Sequence, residues 1–127
     1  MTQTQVYDPI KQESLDQLEI LNARAYHFYI KNKGKFTDYG LKSQLWSSDI
    51  WNEAKCIFKE LNEHLYGKLT CEHCNTGFYH PYVKSFQLHH INHIYNWEKL
   101  FDPDTILLVH KHCHKTIHDI HRGDNNK

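Results

Sequence analysis

Two short spacings limit what this chain can fold into. Residues 71–74 read Cys-Glu-His-Cys and, after 35 intervening residues, 110–113 read His-Lys-His-Cys. Each places two soft donors three positions apart, the spacing of a zinc knuckle, in which the two-residue gap lets backbone N–H groups point at the metal-bound sulfurs. Two knuckles at this separation predict one tetrahedral Cys3His structural zinc site made of Cys71, Cys74, His110 and Cys113. His112 is the rival fourth donor. A chain of 127 residues is long enough for one domain with a modest core, so a metal staple has real value to it.

The four cysteines allow a disulfide reading as well. The opening MTQTQVYDPIKQE lacks the basic and apolar segments of a secretory leader, and no apolar run approaches the roughly 20 residues of a bilayer span. The expectation is a cytoplasmic protein with no membrane association, where reduced thiols serve metals. Net charge is zero, with 15 basic and 15 acidic residues, which counts against a protein that coats nucleic acid by charge alone. Charge does not divide the chain, but histidine does: of twelve, only His27 and His64 precede residue 67.

The first half reads as helical packing. Asp8 and Pro9 form an N-cap and first-turn pair, Gly34 a stop, and Leu18, Leu21, Ala25 and Phe28 repeat at three and four, predicting a helix over about 9–33. A second helix is predicted from Ser48 or Asp49 to Gly67, with Ile50, Ala54, Ile57, Leu61 and Leu65 on its buried face. Cys56, with no donor at ligand spacing, is expected to be a small buried apolar residue. The stretch KNKGK at 31–35 reads as a solvated helix end, with phosphate contact as its alternative. No paired titratable cluster occurs before residue 67.

In the second half, His114 follows Cys113 directly and His118 lies four residues on. In a helix starting near 112 the two histidines share one face, while Cys113 is about 100° around from His114. A second metal is then implied, and it needs at least a third ligand. The upstream candidates lie in LHHINH, where His89 and His90 end a predicted strand, SFQLHHI.

The order CEHC, LHHINH, DPDTILLVHKHCHKTIH resembles the HNH endonucleases over about residues 68–121. The core of that family is two strands and a helix around one catalytic metal, often bracketed by paired knuckles whose last cysteine directly precedes the final motif histidine. The HHI stretch and the 25-residue step from His89 to His114 are also similar to the nuclease domains of colicins, which lack the knuckles. The resemblance implies an α+β fold, with a helical region (1–67) packed on a zinc-braced ββα-metal core (68–122) and a short tail (123–127). It implies His89, His114 and His118 as ligands of one catalytic divalent metal (Mg2+, Mn2+, Ni2+ or Zn2+) beside the structural zinc, and His90 as general base. Thr105 stands where the family has its central asparagine, which ties the loop between the strands; a hydroxyl offers fewer hydrogen bonds than an amide. His110 stands where the family usually has cysteine.

The chemistry is consistent with those roles. Phosphodiester hydrolysis needs a nucleophilic water, neutralisation of phosphate charge and help for the departing oxygen. A histidine that is not a ligand can take the water's proton near neutral pH. His89 and His90 point to opposite faces of a regular strand, so sharing a site requires the strand to bend or end there; Asn92 and the turn after it suit such an ending. Gln87 is placed to orient a ligand or water, and His93 and His121 are spare, His121 being the substitute for His118. Lys111, Lys115 and Arg122 surround the helix as phosphate contacts. The expected activity is metal-dependent cleavage or nicking of DNA. The alternatives are a zinc-braced DNA- or protein-binding module without catalysis, and an RNase. Small stand-alone relatives are often phage-encoded, which implies action in a bacterial host's cytoplasm and a packaging or other protein as a further partner.

Overall fold

Asp8 opens the first helix as its side chain dictates: the carboxylate accepts from the Lys11 N–H at 3.1 Å, and Pro9, which has no N–H to leave unsatisfied, takes the first turn. In this computed structural model, which describes residues 7–78, 86–91 and 96–125 (side chains only to 120), helix α1 spans Pro9–Asn32. It ends where Lys33 N–H donates to Tyr29 O, followed by Gly34 at φ +86°, a conformation that favours glycine. Leu18, Leu21 and Ala25 are buried and Phe28 packs beside them, as the three-four spacing requires.

A short helix, α2 (Asp38–Trp46), was not expected from the pattern. Thr37 caps it by accepting from Gly40 N–H at 3.0 Å, and Leu41 and Leu45 bury one face. Helix α3 (Asp49–Tyr66) starts at the Ser48 cap and stops at Gly67, which is left-handed at φ +78°. Its buried face runs Ala54, Phe58, Leu61 and Asn62; Ile50 and Ile57 are partly buried, whereas Leu65, in the last turn, is exposed. Cys56 is exposed, contrary to the buried position expected of it, because it lies about 200° around the helix from Ala54 and Phe58.

Strands β1 (Phe86–His90) and β2 (Ile106–His110) form an antiparallel pair with Leu88 opposite Leu108 and His89 opposite Leu107, and α4 (Lys111–Asn125) follows β2 without a loop. Among the described residues the fold is thus α+β, with four α-helices and a two-stranded sheet. Period-two alternation sends Phe86, Leu88, Ile106 and Leu108 into the main core with Leu18, Leu21 and Phe58, while Val109 joins Cys71, Cys113 and Ile117 in a second cluster. Phe101, wholly buried, fixes the segment before β2 through a 2.7 Å bond from its N–H to Asn22 Oδ1 of α1. The main core therefore joins residues from both sides of position 67. Among the described residues no helix is long and apolar enough to cross a membrane.

Two side chains lock the first knuckle in place. Asn62, only 4% exposed, accepts from Thr70 N–H (2.8 Å) and donates to Thr70 O (2.9 Å), so an α3 amide stands in for a neighbouring strand. Glu72 accepts from Leu108 N–H (2.8 Å) and from the Tyr66 hydroxyl (3.0 Å), and its own N–H donates to Leu108 O (2.8 Å). The outer edge of β2 is thereby occupied, and among the described residues β1 forms the other edge of the sheet.

Candidate metal centres

The first donor cluster is built from a tight turn and a strand-helix junction. Asn75, at φ +62°, lets the chain reverse after Cys74: its N–H donates to Cys71 O, and Cys71 N–H donates to Thr76 O, both at 2.9 Å. Asparagine tolerates this left-handed conformation better than most residues. The opposing pair comes from the end of β2 and the first turn of α4. The ligand atoms of Cys71, Cys74, His110 and Cys113 lie within 4.8 Å of one another, close enough to hold one metal ion such as zinc.

Hydrogen bonds select the donor atom on His110. Its Nε2 meets Gly77 O at 3.0 Å, and a carbonyl can only accept, so Nε2 carries the proton and Nδ1 carries the lone pair. Nδ1 stands 3.4 Å from Cys74 Sγ and 3.7 Å from Cys113 Sγ. Binding the second imidazole nitrogen to a carbonyl is the usual way to orient a metal-ligating histidine. His112 stacks on the His110 ring at 4.9 Å and is exposed, outside the cluster; of the two candidate fourth donors, the geometry selects His110.

The thiols fit a cation. Cys74 is held down to about 6, chiefly by the Thr76 hydroxyl, whereas burial first and the neighbouring thiols second push Cys113 up to about 12. Three thiolates repel one another in so small a volume, and a divalent ion at their centre removes that penalty.

The second cluster also draws on α4, about 100° around it from Cys113. His89, 3% exposed, comes from β1, and His114 and His118 come from successive turns of α4; their ligand atoms also lie within 4.8 Å of one another. His114 Nε2 and His118 Nε2 are 2.9 Å apart, so both rings aim the same nitrogen at one region. The His89 ring centre is 5.1 Å from that of His114 and 5.3 Å from that of His118. Burial, then the nearby His118 and His90, lower the pKa of His114 and keep it in the neutral form that can donate a lone pair.

His90 belongs to the same cavity without being part of the cluster. Gln87, Leu88, His89 and His90, four consecutive strand residues, all line a pocket of about 580 Å³ with His114 and His118. Opposite faces of β1 can border one groove because β1 ends at His90 and, among the described residues, forms an edge of the sheet. His90 Nε2 bonds Leu100 O at 2.8 Å, which places the proton on Nε2 and the lone pair on Nδ1. Burial, opposed by the bond to Leu100 and aided by the Lys42 charge, holds its pKa below the usual histidine value.

The remaining expected residues lie elsewhere. Thr105 is outside the pocket: its hydroxyl donates to Asp102 O (2.9 Å), closing the turn at Pro103–Thr105, while its carbonyl accepts from Ile91 N–H (2.8 Å). The tie between the strand ends is made by the Thr105 backbone, so no amide side chain is needed for it. Lys111 and Lys115 are exposed on α4. The side chains of Arg122 and His121, together with Asn92 and His93, lie outside the described residues.

The rest of the pocket lining has no counterpart among the residues that the sequence motifs single out. It consists of Tyr39, Lys42 and Trp46 from α2 and Trp51, Asn52 and Lys55 from α3. The Trp51 ring lies 6.0 Å from that of His90 and 6.0 Å from that of Phe101, so the main core supports it. The available signal was the Thr37-Asp38 cap followed by Leu41 and Leu45. No family model matches the chain, and no curated protein and no solved structure matches it.

Proposed function

We propose that the chain is a metal-dependent phosphodiesterase that cuts or nicks DNA, in the manner implied by its resemblance to HNH endonucleases. The observation that carries this reading is the placement of three clustered imidazoles, His89, His114 and His118, in one cavity with a fourth, His90, whose protonated nitrogen is tied to Leu100 O. Two strands leading directly into the helix that bears two of those histidines agree with it.

His89, His114 and His118 would hold the metal, and a ligand set of imidazoles favours zinc or nickel over magnesium. The bound ion would supply positive charge against a phosphate oxygen and the departing oxygen. The chain's own contribution is acid-base and positional. His90 is neutral near pH 7, and its Nδ1 lone pair is the natural acceptor for the proton of an attacking water. The bond to Leu100 O fixes the ring and stabilises the imidazolium formed by that transfer. Lys42, close enough to depress His90, adds a positive charge suited to a phosphate.

The structural zinc reading of Cys71, Cys74, His110 and Cys113 completes the proposal: it fixes the first turn of α4, and with it His114. The test is relaxation of supercoiled plasmid by zinc-loaded protein supplied separately with magnesium, manganese, nickel and zinc. Cleavage with at least one of them is expected. No cleavage with any of the four would replace the enzyme by a zinc-braced binding module.

A further inference from the structure

We infer that α2 and the start of α3 form a binding wall for unpaired nucleotides, with Tyr39 and Trp46 as stacking surfaces and Lys42 and Lys55 as phosphate holders. This substrate assignment rests on the phosphodiesterase reading above.

Helix α2 has two distinct faces. Leu41 and Leu45 enter the core, whereas Tyr39, Lys42 and Trp46, at spacings of three and four, line the histidine pocket. A helix serving only to pack would present polar side chains outward, yet Tyr39 is 73% and Trp46 38% exposed. Isolated exposed aromatics are common on protein surfaces and mean little. These two meet edge to face at 6.0 Å and border the cavity that His89, His114 and His118 also line.

The pocket's charge points the same way. Its described lining includes two lysines and no carboxylate. Lys42 is half-buried beside His90, and the Lys55 ammonium sits 4.8 Å from the centre of the Phe86 ring, which holds its stem along the apolar wall. Alternating rings and ammonium groups match a polymer of flat bases and phosphates.

Unpaired strands fit this wall better than a duplex does. In a duplex the base faces are stacked on one another and unavailable to side chains, and a duplex binder relies on an extensive basic surface. Net charge here is zero. Stacking supplies an affinity that the chain's charge does not.

The experiment measures binding by fluorescence anisotropy of labelled strands of about 12 nucleotides, DNA and RNA, against the corresponding duplex. It uses the full zinc-loaded chain without a second metal, so that binding is read apart from cleavage. A single strand of at least one sugar type should bind about tenfold or more tighter than duplex. Combining Tyr39→Ala with Trp46→Ala should weaken single-strand binding roughly 5- to 100-fold, while Tyr39→Phe with Trp46→Phe retains most of it. Combining Lys42→Gln with Lys55→Gln should flatten the slope of log affinity against log salt by about 1.4.

Circular dichroism melts check that each variant is folded, and the phenylalanine pair provides a folded control that keeps the rings. Equal or tighter duplex binding, or wild-type affinity in the folded alanine pair, overturns the assignment. Ring-dependent single-strand binding without cleavage by any metal would retain the wall and remove the nuclease; plasmid cleavage without strand preference would do the reverse.

Discussion

Cys113 and His114 are adjacent in the chain but belong to different donor clusters, Cys113 with Cys71, Cys74 and His110, and His114 with His89 and His118. One residue step around a helix is about 100°, so a single turn can hold two centres on different sides. Any force that orients Cys113 therefore also orients His114.

The first centre should carry one zinc per chain, lost in His110→Ala and retained in His112→Ala. Elemental analysis of protein purified without added metal reads this directly. Because such metal binding energy, on the order of 10 kcal/mol, is also folding energy, Cys113→Ser should lower the melting temperature sharply. Zinc retained in His110→Ala but lost in His112→Ala would move the fourth ligand to the exposed ring.

Asn62→Ala should destabilise the chain by about 1–3 kcal/mol, because the buried amide satisfies both the N–H and the carbonyl of Thr70. Thr70 directly precedes Cys71, so the variant should also give up zinc faster to a chromophoric chelator. Urea melts and chelation kinetics together check the two effects. Wild-type values in both would mean that the clamp contributes nothing.

Residue periodicity made α1 and α3 legible, since each combines caps, Asp8-Pro9 or Ser48 and Gly67, with apolar side chains one turn apart. Donor spacing likewise makes the first cluster and the His114–His118 pair legible, because Cys71-x2-Cys74, His110-x2-Cys113 and His114-x3-His118 are local patterns. Spacing leaves His89 and His90 both open as the third ligand, and the resemblance alone implies His89. Helix α2 was harder to see: it has nine residues, includes Gly40 and buries only two leucines. The apolar neighbours of Cys56 in sequence suggest burial, although the helical angle sets it on the far side from Phe58 and it is exposed. The aromatic wall was out of reach of local patterns, since Tyr39 and His90 meet in one pocket through tertiary packing. The selection of His110 over His112 likewise depends on Gly77 O, a backbone atom from another segment.

The link between Asp8 and His64 predicts a pH effect remote from the metals. The Asp8 carboxylate accepts from Lys11 N–H and lies 2.7 Å from His64 Nε2, and the backbone bond first and His64 second lower its pKa. A carboxylate with a depressed folded-state pKa adds stability above its unfolded value, near 3.9, and loses it as pH falls through the lower folded value. Asp8→Ala should melt below wild type at pH 6, with the gap closing as pH falls below about 4. A gap independent of pH would leave only an uncharged capping effect.

The sharpest division of roles is between His90 and His114. His90→Ala should keep the second metal and nucleic-acid binding while cutting the cleavage rate by about 10²–10⁴, the usual cost of losing a general base. His114→Ala should instead weaken the metal itself, since it removes one of three clustered imidazoles. Raising the metal concentration should then partly restore His114→Ala and do nothing for His90→Ala. Plasmid relaxation across a metal titration reads the rate, and calorimetry on protein with its zinc site already filled reads the affinity. The contrast depends on Leu100 O, which holds His90 Nε2 and leaves Nδ1 as the basic nitrogen. Full activity in both variants would place the chemistry outside this pocket, whereas metal rescue of His90→Ala would make that residue a ligand.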